Sequence, residues 1–488
     1  MNRPLRKIAV ACLLLFGLLL LQANWVQVVK AGSYRDNPRN GRVLLATYDR
    51  ERGPIAIGTG KSRTALASSV ETNDRLRFLR RYADGPSYAH VTGFYSLVYG
   101  ATGIERAEDR VLSGEDDRLF VRRLSDQITG RQPQGGSILL SVQAQAQKAA
   151  YDGLAGKVGA AVALDPRTGA ILAMVSRPSY NPDVLSSHDP PAIRQAYAAL
   201  QRDPRSPLLN RALSQTYPPG STFKIITTAA ALSSGRYTPD TKIDSPTQLT
   251  LPQTSRVLKN FGGEQCGDGT QSTLADALRI SCNTAFAKLG LDLGAAPVRR
   301  QAEAFGFGDG KLQVPMDVAT SRYPASPTPP QVAQSAIGQF DVQVTPLQMA
   351  MVAAGVANGG TVMTPYLVQE VQAPDFSRLD LAQPKTYRRA VSSSVADQLR
   401  TMMELVVAKG TGTAAQIPGV RVAGKTGTAQ HAVGKPPHAW FIGFAPAEDP
   451  QVAVAVVVED GGSAGSEATG GRVAAPIARE MMRAVLGR

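Results

Sequence analysis

Residues 217–224 read YPPGSTFK, and the apolar run IITTAAAL follows at residues 225–232. Two prolines and a glycine end whatever element precedes them, whereas no helix breaker follows, so the sequence predicts a helix that begins near Ser221. The predicted helix is apolar almost all the way round, which is typical of a buried helix. A lysine in the first turn of such a helix needs a chemical explanation.

Ser221 and Lys224 are three residues apart, a spacing that makes side chains neighbours on a helix. Burial disfavours a charged ammonium group, so a buried lysine tends to lose its proton. A neutral amine beside a hydroxyl is a base-and-nucleophile pair, and the free N–H groups at a helix N-terminus can stabilise an oxyanion. The pair therefore predicts an acyl-transfer site. On this motif alone, a capping serine followed by a lysine that extends to solvent stays open as the alternative.

A second polar motif, Ser281-Cys282-Asn283, lies within the segment Thr273–Gly290, which we predict to be helical with Thr273 as its N-cap. Residues two apart do not share a helical face, so their side chains converge only at a helix end or in a short loop, which we predict here. A hydroxyl can relay a proton, and an amide can both donate to and accept from a peptide. A polar helix end is the structural alternative.

A third group of polar residues lies in the segment VAGKTGTAQ at residues 422–430. Its members are Lys425, Thr426, Gly427 and Thr428. We predict a strand here, and a strand that offers a cation, hydroxyls and an uncrowded backbone edge suits an extended peptide ending in a carboxylate. The overlapping residues 419–426, GVRVAGKT, also fit the pattern of a nucleotide-binding loop, which we reject because strand-forming residues fill the loop and no helix follows.

Composition narrows the class of protein. The 488 residues carry a net charge of +14 and include 43% hydrophobic residues, so the chain can hold two or three domains and a large core. The basic residues are dispersed and form no long run, which argues against nucleic acid and favours an anionic membrane or cell-wall polymer as partner. The three cysteines and four histidines show no zinc-binding spacing, so we expect no metal and no cofactor.

The N-terminus predicts a membrane anchor. Arg3, Arg6 and Lys7 precede an apolar run that continues from Ile8 to Val29, which is long enough to cross a bilayer. Basic residues before the span place the N-terminus in the cytoplasm and the rest of the chain outside it. A cleaved signal peptide is the rival interpretation, although no clear cleavage site follows. Outside the cytoplasm, a disulfide between Cys266 and Cys282 is expected.

We predict three regions: an anchor at residues 1–30, a small mixed pedestal or interaction domain at 31–135, and a catalytic domain at 136–488. The composition shifts at the sequence QPQGG, residues 132–136. Within the pedestal the predicted strands are Arg42–Thr47 and Pro54–Gly58, and the predicted helices are Arg75–Arg81 and Asp117–Ile128.

The region from residue 136 onward alternates predicted strands and helices. The strands are Ser137–Val142, Gly159–Asp165, Ala170–Ser176, Val420–Gln430, Ala439–Ala445 and Val452–Glu459. Besides those named above, the helices are Gln143–Leu154, Thr345–Asn358, Ser393–Ala408 and Val473–Leu486. Helices inserted within an antiparallel sheet, with the last helix packed across it, predict a layered α/β domain.

The three motifs, in this order, resemble the Ser-x-x-Lys, Ser-x-Asn and Lys-Thr-Gly set of penicillin-binding proteins and serine β-lactamases. Four segments are similar to class B penicillin-binding proteins: AILAMVSRPSYNP (170–182), YPPGSTFK (217–224), TPLQM (345–349) and VAGKTGTAQ (422–430). The short pedestal and the alanine- and arginine-rich composition resemble the actinobacterial penicillin-binding protein A type. The resemblance implies a D,D-transpeptidase of peptidoglycan stem peptides that end in D-Ala-D-Ala and a target of β-lactam antibiotics.

The same resemblance implies a role for each motif residue. Ser221 would be the nucleophile, Lys224 its base and Ser281 a proton relay, while Asn283 would hold the stem peptide. Lys425, Thr426, Gly427 and Thr428 would bind the terminal carboxylate and line the substrate edge, with backbone N–H groups of Ser221 and Thr428 as the oxyanion hole.

The resemblance also implies a SEDS-type glycan polymerase as partner of the anchor and pedestal. Two other functions stay open. A D,D-carboxypeptidase or β-lactamase-like hydrolase shares the acylation machinery, and a non-catalytic scaffold of wall synthesis would keep the fold alone.

Overall fold

A computed structural model of the chain describes residues 2–30, 48–58, 62–120, 128–130, 132, 134–432 and 434–488. Helix α1 (Asn2–Asn24) comes first and continues to Val29 as a π-helix. Its apolar side chains are exposed, and the segment Arg3–Val29 is long and apolar enough to cross a membrane. These features agree with the anchor predicted from the sequence.

The remaining elements are arranged around two large sheets. The helices are α2 (Gly85–Thr92), α3 (Gly103–Ala107), α4 (Asp109–Leu112), α5 (Ala144–Gly153), α6 (Pro190–Arg202), α7 (Arg211–Ser214), α8 (Lys224–Ser233), α9 (Leu274–Arg279), α10 (Asn283–Leu293), α11 (Ala295–Ala304), α12 (Pro329–Ser335), α13 (Pro346–Ala357), α14 (Ser393–Lys409) and α15 (Gly470–Val485). The strands are β1 (Ile55–Ile57), β2 (Thr64–Glu71), β3 (Phe78–Tyr82), β4 (Tyr95–Ser96), β5 (Gly100–Ala101), β6 (Ser137–Leu140), β7 (Gly159–Leu164), β8 (Ile171–Arg177), β9 (Lys242–Asp244), β10 (Gln248–Thr250), β11 (Val257–Lys259), β12 (Gln271–Thr273), β13 (Thr361–Met363), β14 (Val368–Gln372), β15 (Arg378–Leu381), β16 (Thr386–Arg389), β17 (Ala423–Ala429), β18 (His438–Ala445) and β19 (Val452–Val458).

The first is a six-stranded sheet that includes the pedestal strands, in the order β15-β14-β6-β1-β2-β3. Strands β1 and β6 pair in parallel, and the other neighbours are antiparallel. The sheet thus takes strands from both sides of residue 135, where the sequence predicts a domain boundary. That boundary therefore runs through a hydrogen-bonded sheet, and it stays a prediction.

One of the two predicted pedestal helices differs from the structure. The predicted helix Arg75–Arg81 is wrong, because the chain forms strand β3 against β2. The Arg80 side chain is buried and donates to Glu105 at 2.6 Å, so a tertiary ion pair outweighs the local helix preference. Of the predicted helix Asp117–Ile128, the described residues are a 3-10 turn at Asp117–Leu119 and the helical residues Phe120 and Ile128; residues 121–127 lie outside the described residues, so this helix stays a prediction.

The two predicted pedestal strands have different outcomes. Pro54–Gly58 is confirmed as β1. The predicted strand Arg42–Thr47 lies outside the described residues.

The second is a five-stranded antiparallel sheet, in the order β17-β18-β19-β7-β8. Helices α5 and α15 pack on one face of this sheet, and α13 packs on the other. Strand β19 (VAVAVVV) is fully buried along its length because both faces are covered, which explains its continuous apolar sequence. The predicted layered α/β architecture, with the last helix across the sheet, is confirmed.

Candidate active site

The segment before α8 is held against the end of the five-stranded sheet. Gly220 has a φ of +54°, and a Cβ at this position would lie 2.6 Å from the carbonyl oxygen of Thr428. The indole of Trp440 donates to the carbonyl of Pro218 at 3.1 Å. Only glycine fits this close approach, and the contact places residue 221 beside strand β17.

Ser221 lies in a 3-10 turn, Gly220–Phe223, which leads directly into α8. The predicted helix start near Ser221 is therefore confirmed, although its first turn is tighter than an α-helix. Side chains three residues apart eclipse each other in a 3-10 turn, which brings residues 221 and 224 to one side. The Ser221 side chain is half-buried, and in the part of the chain that the structure describes its hydroxyl makes no hydrogen bond.

The amine of Lys224 is completely buried and has three oxygen neighbours. Its Nζ lies 2.7 Å from the Ser281 carbonyl, 3.3 Å from the Ser281 hydroxyl and 2.8 Å from Oδ1 of Asn283. Burial lowers the pKa of Lys224 well below its ordinary value, and the charge of Lys425 lowers it further. The neutral amine inferred from the sequence agrees with this environment.

The Ser281–Asn283 motif interrupts the segment predicted as one helix. The single helix Thr273–Gly290 is wrong, since α9 ends at Arg279 and α10 begins at Asn283. Ser281 adopts a left-handed backbone with a φ of +65°, which a continuous helix does not allow. The loop predicted at this motif is confirmed, as is Thr273 as the N-cap of α9.

The predicted disulfide between Cys266 and Cys282 is present, and both of its cysteines are buried. Oδ1 of Asn260 accepts the backbone N–H groups of Asn283 at 2.8 Å and Thr284 at 3.0 Å. Asn260 thereby satisfies free donors at the start of α10, as an N-cap side chain would. The two tethers fix where Ser281 and Asn283 point.

Lys425 enters the same site from strand β17. Its fully buried Nζ donates to the Ser281 hydroxyl at 2.8 Å and to the Thr426 carbonyl at 2.9 Å. Burial lowers the pKa of Lys425 to about 7. The structure thus brings Lys224, Ser281 and Lys425 into one hydrogen-bonded group.

The residues after Lys425 continue along β17, which is the edge strand of the sheet and packs against the turn Gly220–Phe223. Thr426 shares a hydrogen bond of 2.5 Å with Thr411, and Thr428 is half-buried. A Cβ on Gly427 would lie 2.9 Å from the Pro219 carbonyl, so this glycine allows the segment 217–221 to pack against the strand. The segments that carry all eight residues singled out by the sequence motifs therefore pack together at one place in the fold.

Comparison with known proteins places this architecture in a family. A sequence model of the penicillin-binding protein transpeptidase domain matches residues 159–483, and one of the penicillin-binding protein A dimerisation domain matches residues 52–138. The chain belongs to the penicillin-binding protein transpeptidase family.

Relatives and solved structures support the same assignment for this penicillin-binding protein. It is 49% identical over 494 residues to the peptidoglycan D,D-transpeptidase PbpA of Mycolicibacterium smegmatis, covering 100% of this chain and 99% of the relative. It is 47% identical over 498 residues to PbpA of Mycobacterium tuberculosis, with the same coverage. The ceftriaxone acyl-enzyme complex of penicillin-binding protein A from M. tuberculosis superimposes with a TM-score of 0.87 at 46% identity, covering 91% of this chain and 100% of that one. The predicted resemblance to the penicillin-binding protein A type is confirmed.

Sequence reasoning missed several residues that position the site of this penicillin-binding protein. Asn260 and Thr411 contact the second and third motifs but lie far from them along the chain. Glu459 accepts from the Tyr217 hydroxyl at 2.7 Å and from Arg211 at 2.8 Å. These hydrogen bonds link the segment that begins at Tyr217 to the end of β19. None of these residues carries a local sequence signal, because each acts through a contact that only the fold creates.

Proposed function

We propose that this penicillin-binding protein is a peptidoglycan D,D-transpeptidase that forms an acyl-enzyme on Ser221. Its relatives bear that activity in their names. The observation that carries the residue assignment is the Lys224 amine, which is fully buried, has a strongly lowered pKa and lies one turn after the half-exposed Ser221. A buried, neutral lysine beside an accessible hydroxyl serves as a general base.

In the acylation step, Lys224 takes the proton of the Ser221 hydroxyl while Oγ attacks the carbonyl between the two terminal D-alanines. Negative charge then develops on the carbonyl oxygen, and the backbone N–H groups of Ser221 and Thr428 stabilise it. The departing D-alanine nitrogen needs a proton. Ser281 delivers it, since its hydroxyl contacts Lys224 at 3.3 Å and can pass on the proton that this amine has gained.

The other motif residues hold the donor peptide. Asn283 hydrogen-bonds the amide backbone of the stem peptide, for which its Oδ1 turns away from Lys224. Lys425 in its protonated form, with the hydroxyls of Thr426 and Thr428, binds the terminal carboxylate. Gly427 leaves the edge of β17 open to an extended peptide.

The acyl-enzyme ends when the amine of a neighbouring stem peptide attacks the Ser221 ester, which forms the cross-link and returns the free hydroxyl. A β-lactam acylates the same oxygen by opening its ring. Its leaving nitrogen stays attached to the acyl group, so the adduct is expected to be long-lived.

Intact mass spectrometry of the full chain after incubation with penicillin tests this proposal. One adduct per chain, mapped to the peptide that contains Ser221, is expected, and Ser221→Ala should abolish it. The matched control is Ser233→Ala, which alters an exposed serine at the end of the same helix and should label normally. Labelling at another side chain, or an adduct that turns over rapidly, contradicts the transpeptidase assignment, and the second outcome favours a hydrolase.

The apolar N-terminal helix and the family together make this a membrane-anchored protein. We further propose that its N-terminus is cytoplasmic and its catalytic domain extracytoplasmic, because the basic residues Arg3, Arg6 and Lys7 precede the span. Protease added outside intact cells should then cut the catalytic domain and spare an N-terminal epitope. Cleavage of the epitope instead would contradict this orientation.

We also propose the division into an anchor (1–30), a pedestal (31–135) and a catalytic domain (136–488). The anchor and pedestal are proposed to contact a SEDS-type glycan polymerase within the membrane. Exchange of the anchor for an unrelated span should abolish co-purification with the polymerase and leave penicillin labelling intact. Unchanged co-purification would rule out the anchor as the contact.

A further inference from the structure

Two histidines and an aspartate lie close together near the candidate active site around Ser221. His431 follows strand β17, His438 is the first residue of β18, and Asp460 lies just after β19. The two imidazole rings stack with their centres 3.9 Å apart and an angle of 11° between their planes. Oδ1 of Asp460 lies 3.0 Å from Nε2 of His431 and 3.7 Å from Nδ1 of His438.

These three side chains each offer one ligand atom, and the three atoms lie within 4.8 Å of one another. The backbone of Asp460 adopts a φ of +49°, and its N–H donates to Nδ1 of His438 at 3.2 Å, which places Asp460 beside both rings. A metal ion bound at this Nδ1 would replace that hydrogen bond, and the stacked rings would have to turn so that both nitrogen lone pairs point at one ion. The neighbouring acid, Glu459, is already occupied by Arg211 and Tyr217, so it does not compete for the same ligand. The Asp460 side chain is 49% exposed, which leaves an open path from solvent.

We propose that His431, His438 and Asp460 form a binding site for one divalent transition-metal ion of the Zn²⁺ class. Imidazole nitrogens favour Zn²⁺, Cu²⁺ and Ni²⁺, whereas Ca²⁺ and Mg²⁺ require mostly oxygen ligands. Three protein ligands leave a position for water or another ligand. The sequence expectation of no metal rested on spacing along the chain, whereas these residues come together only when β17, β18 and β19 pair.

The position of the site gives it a physical consequence. His438 pairs with Ala429 in the sheet, one residue beyond Thr428 of the third motif. An ion here joins the connection between β17 and β18 to the connection between β19 and α15. A ligand that binds only the folded state raises the apparent stability of that state, so binding should raise the melting temperature as metal concentration exceeds the dissociation constant.

The test uses the full chain in detergent, with its disulfide intact and without a polyhistidine tag. ZnCl₂ titrated by calorimetry should show saturable binding of one ion per chain with a concentration-dependent rise in melting temperature. Co²⁺ in place of Zn²⁺ should give the visible absorption bands of a nitrogen- and oxygen-bound ion. His431→Ala and Asp460→Asn should each weaken binding by at least about tenfold, the scale of losses caused even by changes around metal ligands.

The chain offers a matched control in His188, which forms an ion pair with Asp74 at 2.6 Å elsewhere in the fold. His188→Ala removes one histidine from a His–Asp pair that has no second imidazole, and it should leave Zn²⁺ binding unchanged. Penicillin labelling of each variant shows that it has folded. Absence of saturable binding by the parent chain overturns the proposal, as does equal affinity of the parent chain and the folded His431→Ala variant.

Discussion

Lys425 donates from its buried Nζ to the hydroxyl of Ser281 at 2.8 Å, although 144 residues separate the two in sequence. The same hydroxyl lies 3.3 Å from Nζ of Lys224. Two amines that share one hydroxyl repel each other when both are charged, and this repulsion lowers the pKa of Lys224 in addition to burial. Lys425 therefore takes up the first proton and Lys224 stays neutral, which agrees with the proposed roles of Lys425 as carboxylate binder and Lys224 as base.

The first prediction concerns the pH dependence of acylation. The pKa of Lys425 is lowered to about 7, so its charge is present below that pH and is lost above it. The second-order rate constant for acylation by a carboxylate-bearing β-lactam should therefore fall as pH rises through about 7, approaching tenfold per unit. Stopped-flow acylation of the full chain at a series of pH values measures this profile.

Lys425→Arg provides the control, because a guanidinium stays charged throughout this range. The variant should lose the alkaline fall even if its rate at neutral pH is lower. An identical fall in the variant, or a flat profile in the parent chain, contradicts the assignment of the charge to Lys425.

The second prediction concerns stability at different pH values. The folded-state pKa of Lys425 is about 7 against an ordinary value of 10.5, so the unfolded chain binds a proton that the folded chain does not. This difference in proton binding makes the free energy of unfolding increase with pH between those values. Lys425→Met removes this pH-dependent contribution to stability. The melting temperature of the variant should therefore exceed that of the parent chain by more near neutral pH than near pH 10. A gain that is independent of pH, measured by calorimetry, contradicts the lowered pKa.

The third prediction tests Lys224 as the base. Lys224→Met keeps the length and burial of the side chain but removes the amine, so the acylation rate should fall by roughly 10²–10⁴, the range of general-base contributions. The control is Lys288→Met, which alters a lysine paired with Asp292 on helix α10. Penicillin labelling is measured beside the melting temperature, and a well-folded Lys224→Met variant that acylates normally contradicts the role.

How far the sequence predicts this site differs between its parts. The three motifs, the N-cap at Thr273 and the alternation in β17 are local patterns, so sequence reasoning finds them. The break between α9 and α10 was predicted only as a loop requirement, because its geometry depends on the disulfide to Cys266 and on Asn260. These tethers are set by distant residues, which no local propensity encodes.

In the pedestal, the local sequence preference predicts the wrong secondary structure. Residues 75–81 are rich in leucine and arginine, which favour a helix locally. The chain instead forms β3, since Val70 and Leu79 pair across the sheet and Arg80 is neutralised by the buried Glu105. Burial alone would raise the pKa of Glu105, but the charges of Arg80 and Arg52 outweigh it and lower the pKa. The sequence alone does not predict a buried network of ion pairs such as this one, because its members come together only in the fold.

The fourth prediction concerns Asn260 as a positioning residue for the second motif. Asn260→Ala removes the acceptor for the N–H groups of Asn283 and Thr284, so the melting temperature should fall by the equivalent of about 1–2 kcal/mol, as for a lost N-cap. The acylation rate should fall as well, because Ser281 loses its fixed place beside the two amines. Asn260→Asp retains an acceptor oxygen and should restore most of both. If Asn260→Ala loses stability but acylates normally, the role of Asn260 is structural alone.

The fifth prediction concerns the close approach between Gly220 and β17. Gly220→Ala places a Cβ 2.6 Å from the Thr428 carbonyl oxygen, and it does so on a backbone with a φ of +54°. The turn that carries Ser221 must therefore move away from the strand. Gly235→Ala, two residues after α8, is the matched control, since its φ is +70° and nothing lies within 4 Å of the added carbon. The control loses only the left-handed backbone term of about 1–2 kcal/mol. Gly220→Ala should lose more stability than the control and also slow penicillin acylation. Equal melting temperatures and equal acylation rates of the two variants would show that the contact does not position Ser221.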